Sequence, residues 1–152
     1  MRTGIGIDSH AFAPGRRLVL GGVEIPHERG LRGYSDADVL AHAITDALLG
    51  AAGLGDIGQH FPDADERWRG ADSIELLREV RAMLPRPPVH VDATVMCEAP
   101  KLAPHRDAMR ARLAEAVGLD PGAVNVKFTT GEGIGFVGRG EGIAALAIAT
   151  LA

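Results

Sequence analysis

Apolar and small residues alternate along TGIGID near the start of the chain, and the period of two carries on from Asp8 to His10. Alternation of that kind predicts a strand, here from about Thr3 to Asp8. RLVLGGVEI predicts a second strand, interrupted at Gly21 and Gly22 by a bulge or a close backbone approach. PHERGLRGY carries no period and reads as loop. YSDADVLAHAITDALLGAAG then predicts a helix. Val39, Leu40, Ala43, Ala47 and Leu48 form its apolar stripe, and Ser35 with Asp38 makes a capping-box-like start. Gly50 and Gly53 bring it to a close.

The segment LGDIGQHFPDADERWRG has little periodicity, and a connection of that length in a compact domain is a binding loop or disordered. A second helix is expected from about Asp72 to Leu84, with Ile74, Leu76, Leu77, Val80 and Leu84 facing inward. PRPP breaks it. VHVDATVMCEA alternates as a strand, with Val89, Val91, Ala93, Val95 and Cys97 on one side. APKLAPH is loop, a third helix is expected from about Arg106 to Val117, LDPGAV is a turn and NVKFTT a strand. After the glycine-rich GEGIGFVGRGEG, the tail IAALAIATLA is a buried strand or a short helix, since periodicity does not separate the two in a short apolar run. A starting hairpin followed by loosely alternating elements predicts one α/β or α+β domain over 1–152, with helices laid against a mixed sheet.

Composition narrows the chemistry. The 152 residues are 46% hydrophobic and 24% charged, as in ordinary soluble domains, and with aromatics at 4% the core must rest on Ala, Val, Leu and Ile. A formal charge of −4 gives no general attraction to nucleic acid or anionic membranes, so a phosphate-bearing ligand must be held locally. The single cysteine, Cys97, permits no internal disulfide. With no membrane-length apolar run and no basic-then-apolar leader, a cytoplasmic setting is expected.

Four places carry candidate chemistry. On a strand, Asp8 and His10 project the same way, which suits a divalent metal, a phosphate site, an acid–base pair or a plain surface turn. Asp38, His42 and Asp46 recur every four residues and share one helical face, solvated or functional. If strand and helix meet, Asp8, His10 and His42 make a two-histidine, one-carboxylate zinc set with a fourth position open. Asp56, Asp63 and Asp65 lie in a glycine- and proline-containing loop that either binds sugar hydroxyls or a cation or is a turn-rich surface. In TTGEGIGFVGRGEG, Thr129, Thr130 and freed backbone amides could cradle phosphate, with Glu132 offering oxygen to magnesium. That segment has neither a Walker ending nor dinucleotide-fingerprint spacing.

Taken in order, GIGIDSHAF, GGVEIPHERGL, YSDADVLAHAITDALLGAAGLGDIGQHFPD, GADS, APKLAPH and TTGEGIGFVGRGEGIAA resemble the 2-C-methyl-D-erythritol 2,4-cyclodiphosphate synthases of the non-mevalonate isoprenoid pathway. The resemblance implies a mixed four-stranded sheet with helices on one face, a homotrimer with active sites between subunits, and release of CMP from a cytidyl diphosphate substrate. It implies Asp8, His10 and His42 as ligands of one zinc per subunit, and Glu132 as ligand of magnesium or manganese. Asp56 matches the residue holding the methylerythritol hydroxyls, with Ser9, Ser35, Ile57, Gly58, Phe61, Pro62, Asp63, Ala64 and Asp65 near it. Cys97, Glu98, Ala99, Pro100, Lys101, Leu102 and Ala103 match the cytidine pocket given by the adjacent subunit. Thr130, beside Thr129 and Gly131, matches a phosphate-contacting threonine that stabilises the transition state. Phe136, Arg139 and Glu141 match positions near the trimer axis, where some members hold an isoprenoid diphosphate. Asp46, one turn beyond His42, is spaced to orient a metal-ligating imidazole.

Three positions depart from the family pattern. Tyr34 replaces a histidine credited with stabilising the reacting phosphate, and a phenol donates one hydrogen bond without a positive charge near neutral pH. Ala37 replaces a glycine at the expected helix start, where a helix should prefer it. Gly131 stands where a threonine is common. Two other readings remain open at this point: a phosphohydrolase using the same zinc set to activate water, and a non-catalytic trimer binding a nucleotide or isoprenoid diphosphate.

Overall fold

A computed structural model describes all of residues 1–152. The strands are β1 (Arg2–Ala13), β2 (Leu18–Leu20), β3 (Val23–Ile25), β4 (Gly30–Leu31), β5 (Pro88–Met96), β6 (Val124–Thr129) and β7 (Gly142–Leu151). Three helices longer than a single turn accompany them: α1 (Val39–Ala52), α2 (Ser73–Met83) and α3 (Arg106–Val117). One mixed sheet runs β4-β1-β7-β5-β6, antiparallel except for the β5–β6 pair, so it has five strands where four were expected. The extra one, β4, is two residues long and too short to show a period.

The tail is a strand, and it is the central one, paired to β1 on one side and β5 on the other. Its inward residues Ile143, Ala145, Ala147, Ala149 and Leu151 are buried and mostly small, as a close-lying helix requires. Gly21 and Gly22 do not interrupt one strand. Both have positive φ, 57° and 73°, and form the two-residue turn of the β2–β3 hairpin. The opening hairpin is thus β2–β3, while β1 pairs with β4 and β7.

The alternation in β1 has an unusual sense: Ile5 and Ile7 are exposed, while Gly4 and Gly6 face the helices. A Cβ on Gly6 would lie 1.9 Å from the carbonyl oxygen of Ala43, and one on Gly4 would lie 2.1 Å from that of Ala47. Glycine at both points lets the backbone of α1 rest directly on β1. α2 packs beside α1, and α3 lies between α2 and β6, so all three helices cover one face of the sheet.

α1 starts later than Ser35. Asp38 is its N-cap, accepting the Ala41 N–H at 3.0 Å, and Gly53 in the left-handed region ends it, with Gly50 inside the last turn. Ala37 lies outside the helix with φ 58°, so the replacement of glycine there is a strain, not the preference expected of a helix start. The long 54–70 connection is structured, with one-turn helices at Ile57–His60 and Glu66–Trp68.

Candidate metal centre and flanking cavities

The close approach at Gly4 and Gly6 sets the site. Two residues further along the same face of β1 stands Asp8, then His10, while on α1 His42, next to Ala43 and just over one turn before Ala47, comes opposite them. Asp8 Oδ2 lies 2.8 Å from His10 Nε2 and 3.1 Å from His42 Nδ1, and the two imidazole nitrogens are 3.5 Å apart. These three ligand atoms form a group able to hold one metal ion.

The far sides of both rings are tied down. His10 Nδ1 is 2.8 Å from the Arg32 carbonyl, which can only accept, so Nδ1 carries the proton and Nε2 keeps its lone pair. His42 Nε2 donates to Ser73 Oγ at 2.7 Å, and the Ser73 hydroxyl in turn donates to the Asp36 carboxylate, leaving Nδ1 to face Asp8. Two imidazole nitrogens and one carboxylate oxygen, with the opposite ring nitrogens engaged, fit a zinc ion with an open position. Burial alone would raise the Asp8 carboxyl, but with the His10 and His42 rings protonated their hydrogen bonds and charge outweigh it and hold it at about 2; a metal ion would take the place of those protons. Burial likewise disfavours a charged His42, and the Asp8 carboxylate reverses that and raises it.

Neither Ser73 nor Asp36 was singled out from the sequence, although both lie in the quoted GADS and YSDADV segments. Their partnership joins two stretches 37 residues apart, which no local pattern reveals. Asp46, expected to orient an imidazole, instead accepts the Ile57 N–H at 2.8 Å and anchors the following loop. Asp38 is fully buried rather than on a polar face, and its carboxylate also accepts the Gly21 and Gly22 N–H groups at 2.9 and 2.7 Å.

A cavity of about 280 Å³ opens at the triad. Tyr34, Ser35, Ile57, Gly58, Phe61 and Asp63 line it with Asp8, His10 and His42, and Gly33, Trp68 and Leu76 complete the wall. Trp68 stacks edge-on to Phe61 at 4.9 Å. No lysine or arginine is among the lining residues. Asp56 caps the turn Ile57–His60 by accepting the Gln59 N–H at 3.0 Å. Pro62 and Ala64 continue the loop, and the Asp65 carboxylate is bound by Arg67 at 2.8 Å. Ser9 stands on the opposite face of β1 from Asp8 and His10, away from the triad.

The second group of expected residues gathers elsewhere. Cys97, Glu98, Pro100, Lys101, Leu102, Ala103, Thr129 and Thr130 line a separate cavity of about 250 Å³ with Phe128. Ala99, joined to Pro100 by a cis peptide, belongs to the same turn. Glu98 accepts the Gly131 N–H at 2.8 Å, tying the glycine-rich segment after β6 to it. Glu132 is exposed with φ 54°, outside the triad, its N–H donated to Thr130 Oγ1 at 3.2 Å. Gly131 has a steric reason: a Cβ there would lie 2.4 Å from the Gly138 nitrogen. Phe136 is exposed, and Arg139 pairs with Glu141 at 2.8 Å on the surface. Within one chain, then, Tyr34 and Thr130 line different cavities.

The family model named YgbB family matches residues 1–152. The chain is 61% identical to the 2-C-methyl-D-erythritol 2,4-cyclodiphosphate synthase of Rubrobacter xylanophilus, over 99% of this chain and 94% of that one. It is 62% identical to the bifunctional enzyme IspD/IspF of Anaeromyxobacter sp., over 97% of this chain but only 39% of that enzyme's length. A solved 2C-methyl-D-erythritol-2,4-cyclodiphosphate synthase in a CDP-bound form superposes with a TM-score of 0.91 at 38% identity, covering 99% of this chain and all (100%) of that one. No helix of the chain is long and apolar enough to cross a membrane.

Proposed function

The chain belongs to the YgbB family, and from that premise we propose that it converts 4-diphosphocytidyl-2-C-methyl-D-erythritol 2-phosphate to 2-C-methyl-D-erythritol 2,4-cyclodiphosphate in isoprenoid precursor biosynthesis. The observation that carries the reading is the Asp8, His10 and His42 triad at the floor of a cavity that offers a phosphate no arginine or lysine. In the reaction an oxygen of the 2-phosphate forms a bond to the β-phosphorus, the bond from that phosphorus to the bridging oxygen breaks, and CMP leaves with the electron pair. The nucleophile is already an anion, so no strong base is needed; placement and charge neutralisation are.

Zinc held by Asp8 Oδ2, His10 Nε2 and His42 Nδ1, with magnesium or manganese held by Glu132, would supply positive charge to the phosphate oxygens. The protein's own groups do the rest. Asp56 accepts hydrogen bonds from the methylerythritol hydroxyls, and Ile57, Gly58, Phe61 and Asp63 bound that end of the cavity. Tyr34 and Thr130 donate hydroxyl hydrogen bonds to phosphate oxygens and act as the catalytic residues. The turn around Pro100 and Lys101 holds the cytidine.

We also infer a homotrimer in which the second cavity of one subunit faces the first of its neighbour. The separation of Tyr34 and Thr130 into two cavities supports this, since one substrate must reach both. So does the outer face of the sheet, where Ile5, Ile7, Leu146 and Ile148 are exposed on paired strands. Such a patch on a small domain marks an interaction surface. Arg139, Glu141 and Phe136 would then lie toward the axis, in reach of an isoprenoid diphosphate. The cytoplasm is the proposed setting, where Cys97 stays reduced.

Phosphorus NMR of the protein with the cytidyl diphosphate substrate, zinc and magnesium tests the reading. Cyclic diphosphate signals that grow in step with CMP are expected. Inorganic phosphate would instead make the chain a hydrolase, and intact substrate in the presence of bound metal would make it a binding protein.

A further inference from the structure

Residues 32–38 between β4 and α1 form no regular structure, yet they carry most of what orients the site. Arg32 lends its carbonyl to His10 Nδ1, and Tyr34 projects into the cavity. Ser35 Oγ faces His42 Nε2 at 3.2 Å, and Asp36 holds Ser73. Such a segment needs donors from outside for its carbonyls. Gly70 donates its N–H to the Tyr34 carbonyl at 2.8 Å. The carbonyls on either side, of Gly33 and Ser35, both receive one side chain: Arg16 donates from one terminal nitrogen to Gly33 O and from the other to Ser35 O, each at 2.7 Å.

We infer that Arg16 is a positioning residue of this site: its guanidinium bridges the carbonyls before and after Tyr34, and so fixes the phenol in the cavity and Ser35 against the His42 ring. The inference rests on the cyclising reaction proposed above. A guanidinium is planar and carries its terminal donors in a rigid fork, so one group holds two carbonyls of a bent segment at a fixed separation and angle, which the freely rotating donors of an ammonium do not. The bracket has particular use in this chain. Tyr34 brings no positive charge of its own to draw it to a phosphate, so its placement rests on the backbone that bears it and on the Arg69 guanidinium 5.2 Å from its ring centroid. Ala37, with φ 58°, adds strain to the same segment that the outside contacts must hold. Arg16 itself neither contacts the triad nor lines the cavity; it acts from behind the wall, through the carbonyls of Gly33 and Ser35.

The test compares Arg16→Ala, Arg16→Lys and Arg16→Gln with the unaltered protein in three measurements: zinc affinity by competition with a chromophoric chelator, kcat and KM for cyclisation, and thermal midpoint. Loss of a partner that orients metal-bound imidazoles weakens metal binding or activity about 10- to 100-fold, and Arg16→Ala is expected in that range with its loss in kcat more than in KM. Guanidinium ion at low, non-denaturing concentration should restore part of the lost kcat and zinc affinity to Arg16→Ala and nothing to the unaltered protein. Arg16→Lys, keeping charge without the fork, should resemble Arg16→Ala. An Arg16→Ala protein within about twofold of the original in both kcat and zinc affinity overturns the inference, as does a loss that follows the thermal midpoint in all three variants and is untouched by guanidinium. Should the unaltered protein form no cyclic product, the proposed reaction fails, and the zinc-affinity arm with its guanidinium control still decides the role of Arg16.

Discussion

The Ser73 hydroxyl lies 2.7 Å from Nε2 of His42 and passes its own proton toward Asp36, so a carboxylate acting through a serine 31 residues beyond the histidine sets the tautomer of the imidazole. Ser73 is completely buried at the start of α2, and His42 sits in the first turn of α1. The contact therefore joins the two helices beside the Asp8, His10 and His42 group.

Ser73→Ala should weaken zinc binding about 10- to 100-fold, because the ring loses the partner that keeps its lone pair on the Asp8 side. Leaving the buried groups around Asp36 unpaired should also lower stability by about 1–3 kcal/mol. Chelator competition and urea unfolding of the same preparation read the two effects separately.

Tyr34→His should raise the cyclisation rate, since an imidazolium can bring charge to the phosphate that a phenol lacks. The Arg69 guanidinium lies 5.2 Å from the Tyr34 ring centroid, and a cation there disfavours protonation of the new histidine. The gain should accordingly be larger below neutral pH. A kcat profile between pH 6 and about 8 that shows no gain anywhere would count against a phosphate contact at this position.

Gly6→Ala should cost about 3 kcal/mol or more, because the added carbon meets backbone atoms of Ala43 and Ala47 that cannot rotate aside. α1 would have to lift from β1, and His42 with it. A lowered thermal midpoint together with weaker zinc binding is the expected pair of results; a protein as stable as the original would mean that α1 lies further from the sheet.

Asp38 is pushed up from 3.8 to about 6, because burial of its charge outweighs three backbone hydrogen bonds. Between about pH 4 and 6 the folded chain thus holds a proton at Asp38 that the unfolded chain has released. Stability from this group falls as pH rises through that window and recovers as pH falls, by about 3 kcal/mol in all. Asp38→Asn removes the titration. The stability of the unaltered protein minus that of Asp38→Asn, from urea unfolding at a series of pH values, should grow as pH drops from 7 to about 4.

Ile7→Glu, on the exposed sheet face, should leave the fold intact and yield a smaller species in light scattering. If the two cavities are joined only between subunits, cyclisation should vanish with the assembly while zinc binding survives. A monomeric, fully active Ile7→Glu protein would refute the shared site.

Much of this protein was legible in its sequence because the signals were local. The apolar stripe of α1, the helix Arg106–Val117, which matches its expected bounds, and the same-side projection of Asp8 and His10 all follow from periods of 3.6 and 2 within a few residues. What was missed lay across the chain. Periodicity could not say that Ile5 and Ile7 face outward while Gly4 and Gly6 face in, since that depends on which face α1 covers. Nor could it separate strand from helix in IAALAIATLA, whose fate was settled by pairing with β1 and β5 on both sides. The donors set the triad's chemistry by type, but its existence required a strand and a helix to approach within hydrogen-bonding distance, and two glycines made that possible. The ring-orienting contacts of Arg32 and Ser73, and the burial of Asp38 under the Gly21–Gly22 turn, belong wholly to the tertiary structure: each joins groups far apart in sequence, where only packing decides what meets.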